Sequence, residues 1–230
     1  MKPKQEDLPR LGLLGLGSRS TIFYLKQLNK HYNTAFGADN TCPLLLLNAN
    51  FEELNPYLPN QFERLEPTLL KYLNSINTLP IEQLMIPNIT LHESYDRLKL
   101  HNAFGYKVIH PVKSTLNQLQ QDGQQDAFLF GSNYSMNSTA INKQFNHAGI
   151  NLLQPNQHDM VTIDNIRQLV YANKETPKDT QQFNALIERY KASYPVVVAC
   201  TELSIAIKVN TTNIYDMAMI QMASFFSQRL

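Results

Sequence analysis

Short apolar runs alternate with longer amphipathic stretches along most of the chain. Leu11-Gly12-Leu13-Leu14-Gly15 predicts a buried strand ending in glycine. From Thr21 to Tyr32, Phe23, Tyr24 and Leu28 form one stripe, which predicts a helix. Cys42 to Asn48 predicts a second buried strand, Phe62 to Ile76 a helix, Leu84 to Ile86 a strand, and His92 to Leu100 a helix. The pattern then restarts. Lys107 to His110 predicts a strand and Ser114 to Gln121 a helix. Ala127 to Gly131 is again a strand ending in glycine, and Ser138 to His147 a helix closed by Gly149. Asn151 to Leu153 is a strand, and Ile163 to Ala172 and Thr180 to Tyr190 are helices. Val196-Val197-Val198-Ala199-Cys200 is β-branched and apolar, the strongest strand signal in the chain. Ile214-Tyr215 and the helix Met217 to Gln228 complete the series.

Alternating strands and helices with near-continuous apolar strands argue for parallel sheets covered on both faces. The fold class expected is α/β, with two pseudo-symmetric lobes, each a short parallel sheet flanked by helices, and an active-site cleft between them. The restart places the first lobe at 1–104 plus 211–230 and the second at 105–210, the last strand and helix returning to the first lobe. In open α/β sheets, ligands sit beyond the carboxyl ends of strands. Functional residues are therefore expected just after Leu14, Leu47, Ile86, Phe130 and Val198.

At 230 residues the chain is long enough for two such cores. Its 20 basic and 19 acidic residues leave a formal net charge of +1, with no basic stripe for nucleic acid. No apolar run approaches a membrane span, and Glu6 and Asp7 interrupt any leader pattern, so a cytoplasmic location is expected. The two cysteines, Cys42 and Cys200, are expected to be free thiols in that compartment. Histidines are scattered and assign no metal. Gly15 and Gly17 lack the third glycine and acidic partner of a dinucleotide fingerprint.

The sharpest chemical signal is Cys200-Thr201-Glu202, polar residues directly after the strongest strand. A helix starting near Thr201 would aim its amides at the sulfur and favour thiolate; a buried inert thiol is the plainer alternative. Ser18, Ser20 and Thr21 after the glycine loop suit a carboxylate, or simply cap a helix. Asn50 and Asn133 can read a ligand or shape turns. Arg19 can pair with a carboxylate or stay exposed.

Val198-Ala199-Cys200-Thr201-Glu202 resembles the Gly-Cys-Thr-Glu signature of the aspartate/glutamate racemase superfamily. Gly15 to Thr21 with Tyr24 and Asn29 is similar to that family's opening loop and helix. Leu47 to Phe51, Phe130 to Met136 with Ser132, and Pro155 with Asp159 and Ile163 follow in the family's order. The resemblance implies cofactor-independent proton transfer at the α-carbon of a small acidic amino acid or related carboxylate, by one cysteine from each lobe. It leaves room for a homodimer and calls for no nucleic-acid or membrane partner. The family's first cysteine motif, Cys-Asn-Thr with a nearby His, is matched here by Asn88-Ile89-Thr90-Leu91-His92, so Asn88 stands at the cysteine position. Asn has no titrating proton. Near the C-terminus, Asp216 is kept and Gln221 stands near the family's histidine. The resemblance thus implies catalysis by Cys200 with Asn88 and Thr90 opposite it. Substrate contacts fall to Ser18, Ser20, Thr21, Asn50, His92, Ser132, Thr201 and Glu202. The readings compared are a racemase or epimerase, a single-cysteine decarboxylase or isomerase, and a carboxylate-binding protein without turnover. Cys42 is expected to be structural.

Overall fold

The computed structural model describes residues 10–37 and 39–227. The last residue of the expected final helix, Gln228, and the leader positions Glu6 and Asp7 lie outside them. The chain divides into two units, Met1–His110 with Gln221–Leu230, and Pro111–Ile220.

In the first unit the strands are β1 (Leu11–Gly15), β2 (Leu44–Asn48), β3 (Gln83–Met85) and β4 (Lys107–Val108). They form one parallel sheet in the order β2-β1-β3-β4. Helices α1 (Ser18–Phe36), α2 (Phe62–Asn77) and α3 (Leu91–Lys99) connect them. β1 is central and every residue in it is buried, which is why its sequence is apolar throughout. Its register against β2 runs from Leu11 with Leu44 to Gly15 with Asn48. Leu65, Leu69 and Leu73 of α2 pack with Leu14, Leu84 and Leu91 in the core.

In the second unit the strands are β5 (Asp126–Phe130), β6 (Asn151–Leu153), β7 (Val196–Val198) and β8 (Ile214–Asp216), parallel in the order β6-β5-β7-β8. The helices are α4 (Pro111–Gln121), α5 (Asn133–Met136), α6 (Thr139–His147), α7 (Gln157–Tyr171), α8 (Pro177–Lys191) and α9 (Thr201–Ala206). α10 (Met217–Ser227) starts in this unit and ends in the first. Phe130, Ile163, Phe183, Val196 and Val198 share its core. Asp159 at the start of α7 is buried and accepts from Arg189, the Tyr190 hydroxyl and Asn156, so it ties α7 to α8.

The same strand order in both sheets agrees with the expected pseudo-symmetric architecture, with three local corrections. β4 pairs with β3, Gln83 opposite Lys107, so the restart falls at Pro111 and not at 105. β8 pairs with β7, Val196 opposite Ile214, so the last strand stays in the second unit and the return begins at Gln221 and not at 211. β2 is an edge strand rather than a buried one, with Leu45 and Leu46 41% and 42% exposed. A run of leucines marks a strand, but its number of neighbours is fixed by distant pairing.

Gly15 ends β1 close to the side chains of Asn48, Leu46 and Thr21. A Cβ there would meet Asn48 Oδ1, Leu46 Cδ1 at 2.9 Å and Thr21 Cγ2 at 3.2 Å. Gly15→Ala is expected to lower stability by about 1 kcal/mol, the low end for overpacking because the exposed Asn48 and Leu46 side-chain ends can move aside, read as a urea midpoint shift at constant slope.

Candidate active site

Cys200 follows the carboxyl end of β7, beside that of β5. Ala199 N donates to Phe130 O at 2.7 Å, which fixes the chain as it leaves β7. Cys200 then takes the N-cap position of α9, extended at φ −158° and ψ 128°, with no side-chain cap bond. Its Sγ donates to Glu202 Oε2 at 2.9 Å. Burial pushes the Cys200 thiol well up, and the Glu202 carboxylate pushes it further, by charge and by accepting its proton. Arg167 on α7 acts the other way. Burial opposes its charge, but Asp164, at 2.6 Å from its Nε, and the Glu202 carboxylate sustain it.

The expected resting thiolate is therefore corrected. α9 has only six residues, and its amides do not outweigh burial and an adjacent anion. The arrangement is a protonated thiol beside its proton acceptor, with a guanidinium in the same electrostatic field. Transfer of the proton from Sγ to Oε2 creates a thiolate and a neutral acid.

Thr201 is 2% exposed, and its Oγ1 is buried without a partner among the described residues. Ser204, one turn into α9, donates its hydroxyl to Asp216 Oδ1 at 2.8 Å and lies 3.2 Å from the Cys200 carbonyl oxygen. Asp216 Oδ1 also accepts from Ala218 N at 2.9 Å and Met219 N at 3.2 Å, the first turn of α10. Burial pushes Asp216 up to about 6. Ser132 caps α5, accepting from Ser135 N at 3.1 Å.

In the first unit, Thr21 Oγ1 donates to Gly17 O at 3.0 Å and accepts from Leu16 N at 3.0 Å, stapling the glycine loop. Ser20 Oγ donates to the same carbonyl at 2.9 Å, while Ser18 is exposed. Asn50 behaves as a turn residue, its Oδ1 accepting from Glu52 N at 3.3 Å. After β3, Asn88 Oδ1 accepts from Thr90 Oγ1 at 2.8 Å and Leu91 N at 3.1 Å. His92 is buried, its Nδ1 2.9 Å from Asn88 O and its ring centroid 4.8 Å from that of His110. Burial, then the neighbouring His110, lowers its pKa to about 3, so it is neutral with its proton on Nδ1. Gln221 is consumed by structure: Tyr24 Oη donates to its Oε1 at 2.5 Å, and its Nε2 donates to Ile109 O at 2.6 Å.

Cys42 is 7% exposed, and burial pushes its thiol up to about 12, in keeping with a structural role. The internal repeat aligns the two key positions. β3 and β7 hold the same place in their sheets, and Asn88 and Cys200 each follow closely on that strand. Sequence reasoning missed Arg167, whose only trace was the Asp164-x-x-Arg167 spacing on α7, and the Ser204–Asp216 bond, which joins elements with no local signature.

Among the described residues, no helix is long and apolar enough to cross a membrane. No family model and no curated protein matches the chain. Solved structures do. A candidate Asp/Glu racemase from Yersinia pestis matches at TM-score 0.79 and 20% identity, over 95% of this chain and 98% of its own. An aspartate racemase homologue from Pyrococcus horikoshii OT3 matches at TM-score 0.79 and 20% identity, over 95% and 97%. The aspartate racemase of Picrophilus torridus matches at TM-score 0.73 and 17% identity, over 94% and 92%. The chain has the two-lobed fold of these proteins.

Proposed function

We propose that this chain belongs to the aspartate/glutamate racemase superfamily and moves a proton at the carbon beside the carboxylate of a small acidic amino acid or related acid, using Cys200 as its one thiol. The observation that carries the proposal is the 2.9 Å bond from Cys200 Sγ to Glu202 Oε2. An α-proton is very weakly acidic, so its base must be close and poorly solvated. Glu202 takes the proton from Sγ, the thiolate takes the α-proton, and charge spreads onto the ligand's carboxylate. Arg167 balances the negative charge of this cluster. The Thr201 hydroxyl, buried and without a partner among the described residues, is a ready donor for the developing oxyanion. The S–H proton trades with solvent, a solvent proton passes from Sγ to carbon, and Glu202 then returns its own proton to Sγ, which completes exchange and restores the resting pair.

A second reading is favoured by the protonated resting state of Cys200. A thiol that starts protonated suits donation to a carbanion generated by loss of carboxylate, as in a single-cysteine decarboxylase. The two readings separate when L- and D-aspartate, L- and D-glutamate and substituted malonates are incubated in deuterated water and followed by NMR. Deuterium entry into an amino acid supports the first; carbon dioxide release from a malonate supports the second. Neither process with any of these acids would sink both.

Glu202→Gln tests the pairing. Without the carboxylate, proton movement should slow by about 10²–10⁴-fold. The charge that pushes the thiol up also disappears, so iodoacetamide should label Cys200 faster at a fixed mildly alkaline pH. Unchanged turnover, or slower labelling in a folded protein, would break the assignment.

A further inference from the structure

Cys200 and Glu202 belong to a helix too short to hold itself. α9 has six residues, far below the roughly 12–15 at which an isolated helix becomes even marginally stable. Cys200 is extended at its N-cap and Glu202 is its second residue, so the 2.9 Å bond from Sγ to Oε2 requires a closed first turn. Ser204 N closes that turn by donating to Cys200 O at 3.1 Å. Ser204 is buried, and its hydroxyl has one proton and two acceptors in reach: Cys200 O at 3.2 Å and Asp216 Oδ1 at 2.8 Å. The carboxylate is the nearer and the stronger acceptor. Asp216 is fixed in turn, because its Oδ1 accepts from Ala218 N and Met219 N at the start of α10. The far end of α9 is held separately, by Asn184 on α8, whose Nδ2 donates to Ala206 O at 2.9 Å. Among these bonds, only those of Ser204 and Asp216 secure the turn that carries the thiol.

We infer that Ser204 is a positioning residue, anchored by Asp216, which holds the first turn of α9 closed and so keeps Glu202 within hydrogen-bond reach of the Cys200 thiol. The inference rests on the reading of Cys200 and Glu202 as the pair that moves the proton. Ser204 and Asp216 take no part in the transfer itself. They act through the separation of Sγ and Oε2, because a carboxylate beyond hydrogen-bond reach neither accepts from the thiol nor raises it as strongly.

Iodoacetamide labelling of Cys200 reads that separation without a substrate, with the melting temperature as the control on folding. Ser204→Ala removes the hydroxyl and leaves the backbone bond. The loosened turn lets the carboxylate leave Sγ, so the thiol ionises more easily. Labelling at a fixed mildly alkaline pH should rise at least about three-fold, and its pH profile should move to lower pH. The same substitution made in Glu202→Gln should change labelling by less than about 1.5-fold, since the carboxylate it positions is already gone. Asp216→Ala cuts the tie from its other end and should reproduce both results, so the comparison stands even if Ser204→Ala fails to fold. Asp216→Asn keeps an oxygen for Ser204 and should label within about two-fold of the unaltered protein. Deuterium exchange by Ser204→Ala should fall at least about ten-fold while KM holds within about two-fold. Unchanged labelling or undiminished exchange in a folded Ser204→Ala would overturn the inference. So would an equal rise in labelling with and without the Glu202 carboxylate, which would mean a general loosening. Absence of exchange with every acid in the unaltered protein would remove the function, and the labelling comparison would still decide whether Ser204 holds the pair together.

Discussion

Cys200→Ser is expected to lower deuterium exchange or decarboxylation by at least about 10²–10⁴-fold without disturbing the fold. Serine keeps the shape and can still donate to Glu202, so the thermal midpoint should hold. It cannot keep the acidity. A hydroxyl is a far poorer proton donor than a thiol, and Glu202 is too weak a base to ionise it. The measurement is the initial rate of deuterium entry, with the melting temperature as the control on folding. More than about a tenth of the original rate would mean that another group moves the proton. Cys42 is not a candidate for that role, because it is buried just before β2, at that strand's amino end, and its thiol is pushed up to about 12.

This position was legible in the sequence because three features coincide there: a β-branched strand, a thiol, and two polar residues at a turn. The strands β1, β5 and β7 were legible for the same physical reason, since burial on both faces enforces continuous apolar runs. What stayed hidden depended on non-local choices. Which sheet β4 and β8 join is decided by strand pairing, and the local pattern is the same either way. The protonation state of Cys200 was misread because helix direction is visible in a sequence, whereas the place of the Glu202 carboxylate is not. Arg167 escaped notice because it reaches the thiol's field from a helix distant in the chain. Asn88 was seen as a lost cysteine; its orientation emerged only with the bonds to Thr90 and Leu91.

Asp216 should give the protein an unusual acid response. Its folded pKa is about 6, above the 3.8 of a free side chain, because burial penalises the anion. Between those values the folded state holds a proton that the unfolded state has released. Stability from this group is therefore complete below about pH 4 and is lost as the pH rises through 6, a change on the order of 3 kcal/mol. Asp216→Asn keeps an oxygen for Ser204, Ala218 N and Met219 N but cannot titrate. Urea unfolding from pH 4 to pH 7 should show the variant gaining on the unaltered protein by about that amount. A constant difference across the range would show that Asp216 does not titrate there. Asp216→Ala removes the acceptor altogether and should cost at least about 1–3 kcal/mol at any pH, with α10 losing its first-turn anchor.

The division of the chain has a consequence for its birth on the ribosome. The second unit is one unbroken segment, Pro111–Ile220, whereas the first is completed by Gln221–Leu230. The Tyr24 hydroxyl and the Ile109 carbonyl both find their partner in Gln221. Those groups emerge early, and at ~5–20 residues per second the Ile109 carbonyl waits roughly 6–22 s for it and the Tyr24 hydroxyl roughly 10–40 s. The half made first is thus the half finished last, while the half made second can close on itself as it appears.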